Sequence, residues 1–140
     1  MSDYSALPRG EYAFPGPLRD ALIGVICSGE KTSTTSLAVE YQLEGQPFPQ
    51  VGEREVIIDS HGRDVAVTEN TAVRLCRLDE VTCEHALAEG EGFADVADWR
   101  ARHEEFWHSP AFREALGDSG FTVDDSTLVV CVSFRVIDLL

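Results

Sequence analysis

A chain of 140 residues, 44% of them apolar, is long enough to bury one proper core and predicts a single domain. Its 25 acidic against 11 basic residues give a formal net charge of −14, which argues against a broad basic surface for duplex DNA. The longest apolar run, residues 21–27, is interrupted by Gly24 and is far too short to span a membrane.

The opening MSDYSALPRGEYAFPG has neither a basic stretch nor an apolar run, so no secretory leader is expected and a cytoplasmic setting is. Residues 1–16 carry Pro8, Gly10, Pro15 and Gly16 between isolated aromatics at Tyr4, Tyr12 and Phe14, the pattern of an irregular arm pinned by its rings. The domain proper is expected over 17–140. Pro17 suits a first helical position, and Leu18, Leu22, Val25 and Ile26 give the stripe of a core-facing helix that stops at Gly29. Residues 33–41 read as a strand, with Thr35, Leu37, Val39 and Tyr41 on one face and Thr34, Ser36 and Ala38 on the other. A Gly/Pro loop over 45–52 leads to a strand at 54–59, a turn at Ser60-His61-Gly62-Arg63 and a long, bulged strand reaching residue 76.

Helical signals then take over. Asp79 is the expected cap of a short helix to about Leu87, ended by Gly90 or Gly92. Asp95 caps a second, on which Val96, Trp99, His103 and Phe106 share a face with Trp107 alongside, so that His103 reads as a packed, hydrogen-bonded histidine. Ser109 and Pro110 open a third, which ends at Gly117. Residues 128–136 alternate cleanly as a terminal strand. The order of elements predicts an α+β fold whose last strand joins a mixed sheet or small β-barrel with peripheral helices.

The chemistry concentrates in Ser28-Gly-Glu-Lys31-Thr-Ser-Thr-Thr-Ser36, where the chain's only lysine leaves a helix and enters five consecutive hydroxyl residues. A lysine in a partly closed pocket loses proton affinity and can act as a base. A threonine hydroxyl needs such a base to become a nucleophile, and a carboxylic acid across the cleft can protonate a leaving amine. Glu89-Gly-Glu91-Gly supplies carboxylates on flexible backbone; the plain alternative is that these acids only solvate a loop. Cys27, Cys76, Cys83 and Cys131 form no CxxC pair, and Cys27 and Cys131 read as small buried hydrophobes. Cys83, His85, His103 and His108 lack a recognised metal-ligand spacing, and His103-Glu-Glu-Phe-Trp-His108 is not HExxH, so no metal and no organic cofactor is expected.

Gly29-x-Lys31-Thr32-x-Thr34, a strand, and a loop ending in Val-Gly-Glu together resemble the ASCH family of the PUA-like superfamily. So do Ala88-Glu-Gly-Glu-Gly92, then Trp99, His103, Glu104, Phe106 and Trp107, and a closing Phe134-Arg135-Val136. The resemblance runs from about Pro17 to the C-terminus and implies a small β-barrel with a cleft for a nucleobase or RNA. In the short branch that deacetylates acetylcytidine it implies Lys31 as proton acceptor, Thr34 as nucleophile and Glu91 as proton donor. Thr32, Ser33, Ser36, Glu89, Ser133 and Arg135 are the candidate substrate-binding residues. The chain departs from that branch in its greater length and in having Leu37 and Ala38 where an arginine is expected.

The leading expectation is a hydrolase of an amide on a small pyrimidine nucleoside. The rivals are an RNA-binding or RNA-cleaving module, with Arg54, Arg63, Arg74 and Arg77 as a basic strip, and a non-catalytic ligand sensor. The acidic total suits a small nucleoside-like ligand better than single-stranded RNA, and no protein partner is indicated. Lys31 and Thr34, three apart, would face opposite ways from a regular strand, so joint action requires a turn or bulge between Glu30 and Ser33.

Overall fold

The computed structural model describes residues 3–140, which leaves the first two residues of the expected arm outside the described residues. Five strands form one sheet in the order β1-β3-β4-β5-β2. They are β1 (Arg9–Gly10), β2 (Ser33–Leu37), β3 (Arg54–Ile58), β4 (Asp64–Arg77) and β5 (Leu128–Leu139). Around them lie α1 (Pro17–Cys27), α2 (Ala38–Glu44), α3 (Cys83–Ala88), α4 (Val96–Trp107) and α5 (Pro110–Leu116). β1 runs parallel to β3 and every other pair is antiparallel. The expected α+β mixture is therefore present. No β1–β2 pairing closes the sheet among the described residues, so the strand order is that of an open, curved sheet. Register breaks at Ile57/Ile58, Val67/Thr68 and Asn70/Ala72 supply the bulges, which bend strands and raise their twist.

The arm is more regular than its composition implies. Arg9 and Gly10 add a short parallel strand to β3, Tyr4 donates to Asp138 at 3.0 Å, and Tyr12 meets Phe134 edge-on. Arg19 holds the rest. Its guanidinium, 3% exposed, donates to the carbonyls of Tyr12 (3.1 Å) and Ala13 (2.8 Å) and pairs with Glu11. This corrects the helix register. The buried stripe of α1 is Arg19, Ile23 and Ile26, whereas Leu18 is half exposed. A charge hid the stripe, because an arginine can bury its stem and satisfy its head on carbonyls.

The strand expected over 33–41 ends at Leu37. Ala38 starts a helix because Glu40 folds back to accept the Leu37 N–H at 2.8 Å, and Gly45, at φ 66°, closes α2. Only the alternation of Thr35, Leu37, Val39 and Tyr41 had argued for a longer strand; Glu40, Gln42, Leu43 and Glu44 are better helix than strand formers. The cap expected at Asp79 is likewise Thr82, whose hydroxyl accepts from His85 N. Asp79 sits in a single 3-10 turn, Leu78–Glu80, with its carboxylate taken by Arg77 at 3.0 Å, and extended Val81 separates that turn from α3. Asp95 and Ser109 cap α4 and α5 as expected, and Gly117 ends α5 at φ 79°.

The main core lies between one face of the sheet and α3–α5. Leu37, Cys76, Val129 and Cys131 from the strands pack there with Ala86, Phe93, Trp99, Trp107 and Phe112. A smaller cluster of Ala38, Val130 and Val132, with Tyr41, Phe48 and Val73, covers the opposite face.

Candidate functional site

Two chain reversals and a backbone tie between them bring the site together. Gly29, at φ 85°, ends α1, and the Lys31 N–H then reaches back to the Val25 carbonyl at 2.9 Å. The next residue is pinned to the end of α3 by Thr32 N–H to Ala88 O at 2.8 Å. Past α3, Gly90, at φ 67°, turns the chain so that Glu89 and Glu91 both address the lysine. Gly90 is seated against the lysine's own backbone. A Cβ there would strike the Glu30 carbonyl and lie 2.7 Å from Lys31 N.

Lys31 Nζ is 2% exposed, 3.1 Å from Glu91 Oε2 and 3.5 Å from Glu89 Oε1, and it also donates to the Glu89 carbonyl at 3.4 Å. Glu91 keeps about a quarter of its side chain in solvent (24%), while Glu89 is sealed. Glu89 is the hub. Its Oε2 accepts from Thr35 Oγ1 (2.9 Å) and from the Trp99 indole N–H, and its Oε1 lies 3.1 Å from His103 Nε2. His85 Nε2 stands 2.7 Å from Thr35 Oγ1; since Thr35 gives its hydrogen to Glu89, His85 donates to Thr35. Burial pushes the Glu89 carboxyl up, but hydrogen bonds from His103 and His85, with the charges of His103 and Lys31, overturn this and hold it well below the usual carboxylate range. No buried side-chain polar atom lacks a partner among the described residues. That is what a buried ion pair requires to persist.

Lys31, Glu89 and Glu91 thus meet as the hydroxyl-run and Glu-Gly-Glu motifs imply. Thr34 does not join them. It pairs with Val132 on the face of the small apolar cluster, whereas Ser33 and Thr35 point the other way, toward α3 and Glu89. The chain does turn before β2 starts, yet Lys31 leaves that turn on the Ser33 and Thr35 side. Ser36 shares Thr34's face and bonds Tyr41 Oη at 2.7 Å. Ser33, fully buried, donates to the His85 carbonyl at 2.9 Å, a structural tie. Thr32 and Ser133 line a groove of about 370 Å³ with Thr71, Thr82, Glu84, His85, Ala88 and Phe134, next to the hub. Arg135 lies outside it, exposed and paired with Glu69 at 3.0 Å. Thr35, His85, Trp99 and His103 were not among the candidates. The signal for Thr35 is period two counted from the lysine, since Lys31, Ser33 and Thr35 share a face of an extended chain.

The Lys–Glu cluster thus sits between the end of α1 and β2, at the edge of the open mixed sheet of an α+β domain. The family model for the ASCH domain matches residues 11–138, and the chain belongs to the ASCH domain family. It is similar to the crystal structure of protein EF3133 from Enterococcus faecalis, with 26% identity over 94% of this chain and 77% of that one, at a TM-score of 0.80. It is equally similar to an ASCH domain from Lactobacillus crispatus, with 26% identity, 95% and 80% coverage and a TM-score of 0.79. An ASCH protein from Zymomonas mobilis, 12% identical over 83% of this chain and 62% of that one at a TM-score of 0.50, shares the fold. No curated protein matches the chain. Among the described residues no group of three or more His, Cys, Asp and Glu side chains is placed to hold a metal ion, and no helix is long and apolar enough to cross a membrane.

Proposed function

We propose that the Lys31–Glu91 pair is the reactive end of a hydrolase that cleaves an amide on a small, uncharged ligand of the acetylated pyrimidine nucleoside kind. The observation that carries this is the gradient of exposure across the cluster: Glu89 and Lys31 are sealed, and Glu91 alone opens to solvent. A carboxylate that touches both water and a buried ammonium is poised for proton transfer at the surface of a packed domain.

Amide hydrolysis needs a proton taken from the nucleophile and one given to the leaving nitrogen. An ammonium flanked by two carboxylates is a donor, so the geometry favours Glu91 as the proton acceptor and the sealed Lys31 as the ammonium whose proton reaches the departing amine by way of Glu91. These roles are the reverse of those the family resemblance implies. With Thr34 turned to the other face, the nucleophile in this proposal is a water molecule activated by Glu91. Its oxygen bonds to the acyl carbon, its proton passes to Glu91, the carbon–nitrogen bond breaks, and the amine leaves with a proton from Lys31 by way of Glu91. The groove beside the hub, lined by Thr32, His85 and Ser133, is wide enough for a nucleoside-sized ligand and offers it hydroxyls in place of cations. In this reading the protein works in the cytoplasm on a small molecule, and needs neither duplex DNA nor a membrane.

Purified protein incubated with acetylcytidine and followed by chromatography tests the proposal. Release of acetate and cytidine, lost by at least about 100-fold in both Lys31→Ala and Glu91→Gln, is the expected result. Full turnover in Lys31→Ala would overturn it. Thr34→Val separates the two choices of nucleophile, because water attack leaves its rate close to that of the parent protein.

A further inference from the structure

The ring of His103 is boxed by aromatic groups and caught between two acceptors. Trp99 stacks on it at 4.3 Å between centroids, Trp107 meets it edge-on at 5.3 Å, and Phe93 lies across it at 5.7 Å. Its Nδ1 is 2.8 Å from the Trp99 carbonyl oxygen and its Nε2 is 3.1 Å from Glu89 Oε1. A carbonyl oxygen only accepts, so Nδ1 carries hydrogen. The Nε2 contact then needs a hydrogen from one side or the other: from the ring, which makes it an imidazolium, or from a protonated Glu89. The surroundings of Glu89 decide between them. Its other oxygen already receives Thr35 and Trp99, with His85 at 3.5 Å, and Lys31 faces Oε1 at 3.5 Å. Three donors aimed at one carboxyl group, from Thr35, Trp99 and Lys31, favour its ionised form.

We infer that His103 is an imidazolium locked in place as the fixed counter-ion of Glu89, a positioning residue that leaves the Lys31 ammonium directed toward Glu91. The distances agree: Glu89 holds His103 at 3.1 Å and Lys31 at 3.5 Å, while Lys31 sits closer to Glu91, at 3.1 Å. The charged groups facing the ring are Glu89 from the end of α3 and, across that carboxylate, Lys31 from the turn before β2; the ring's own helix presents Trp99 and Trp107. Without the imidazolium, Glu89 would keep a full charge for Lys31, and the lysine would be drawn inward away from Glu91. The consequence for turnover rests on the hydrolase reading, but the charge on the ring does not.

Nitrogen-15 NMR of the histidine-labelled protein tests the ring directly. The expected spectrum at neutral pH contains one imidazole with hydrogen on both nitrogens, and that signal is missing in His103→Gln. A His103 ring with hydrogen on one nitrogen only would overturn the inference. The sole lysine gives a second reading, because its ε-carbon resonance reports one residue. In His103→Gln, which keeps a donor toward Glu89 but not the charge, that resonance should move at neutral pH as the ammonium is drawn from Glu91 toward Glu89; an unchanged resonance would overturn the counter-ion role. Absence of acetylcytidine turnover in the parent protein would count against the hydrolase reading and leave both NMR results standing.

Discussion

At the scale of single residues, Glu89 organises the site, and its position in the network predicts a pH-dependent stability. The carboxyl is held well below its ordinary range despite burial, so the unfolded chain binds that proton more readily than the folded one. A depressed carboxyl contributes stability that is complete above the unfolded value of about 4.3 and is lost as pH falls toward the folded one. Glu89→Gln leaves Lys31 and His103 without their shared counter-charge, and removing one partner of a buried pair costs about 3–5 kcal/mol. Urea denaturation of the two proteins should therefore show a gap of that order at neutral pH, narrowing below about pH 4.3. A gap that stayed constant across this range would mean that packing, not charge, is what Glu89 supplies. Much of this residue chemistry was legible in the sequence. A single lysine after a glycine stop, with Glu-Gly-Glu further along the chain, pointed to the three groups that meet. His103 was read correctly as packed and hydrogen-bonded, but a helical stripe shows which face is buried and not that a carboxylate from another segment reaches it. Thr34 is the motif position, and strand alternation turns Thr35, not Thr34, toward Glu89.

Among the elements, the turn after α3 does more for the site than either helix beside it. Gly90 and Gly92 both have positive φ, 67° and 81°, so a side chain at either position meets similar backbone cost, on the order of 1–2 kcal/mol. Their surroundings differ. A Cβ at Gly92 has open space, whereas one at Gly90 meets the carbonyl of Glu30 and, at 2.7 Å, the backbone nitrogen of Lys31. Backbone atoms cannot swing aside as a side-chain tip can. Gly90→Ala should thus cost clearly more stability than Gly92→Ala and should also lower turnover, because the segment carrying Lys31 must move. Thermal unfolding and steady-state rates on the matched pair check this; equal effects would show that φ alone governs both positions. The sequence offered Gly90 or Gly92 as the helix stop but not which one touches the lysine, since that contact joins residues about 60 apart in the chain. The start of α2 has a local cause instead. Alternation carried the strand past Leu37 on paper, while a local bond from Glu40 to the Leu37 N–H ended it. Of the three expected caps, Asp95 and Ser109 agree with the structure, whereas Asp79 yields to Thr82.

For the whole molecule the deciding quantity is where the positive charges go. The chain has only 11 basic residues. Arg9, Arg19, Lys31, Arg54, Arg63, Arg77, Arg100, Arg102 and Arg135 each lie within 4.0 Å of a carboxylate oxygen. The remaining two donate to backbone carbonyls, Arg74 to Glu80 and Arg113 to Phe121. The strip imagined from Arg54, Arg63, Arg74 and Arg77 is therefore engaged within the fold. A strand of RNA gains affinity when cations displace its condensed counter-ions, and each phosphate contact adds about 0.7 to the salt slope for a single strand. Here every such contact would first have to break an internal one, on a surface carrying a net charge of −14. The acidic field also lowers the local concentration of any polyanion, while leaving a neutral nucleoside indifferent. Fluorescence anisotropy with a labelled single-stranded RNA should accordingly show no saturable binding at physiological salt. It should also show little dependence on salt between about 50 and 200 mM. Tight binding with a slope of several phosphates would require a rearranged surface and would return the RNA reading to first place. Among small ligands the same field makes a matching statement: an acetylated nucleoside should be accepted in preference to its phosphorylated form, because the groove on the His85 side of the hub is lined by Glu84 and hydroxyls but by no lysine or arginine to receive a phosphate.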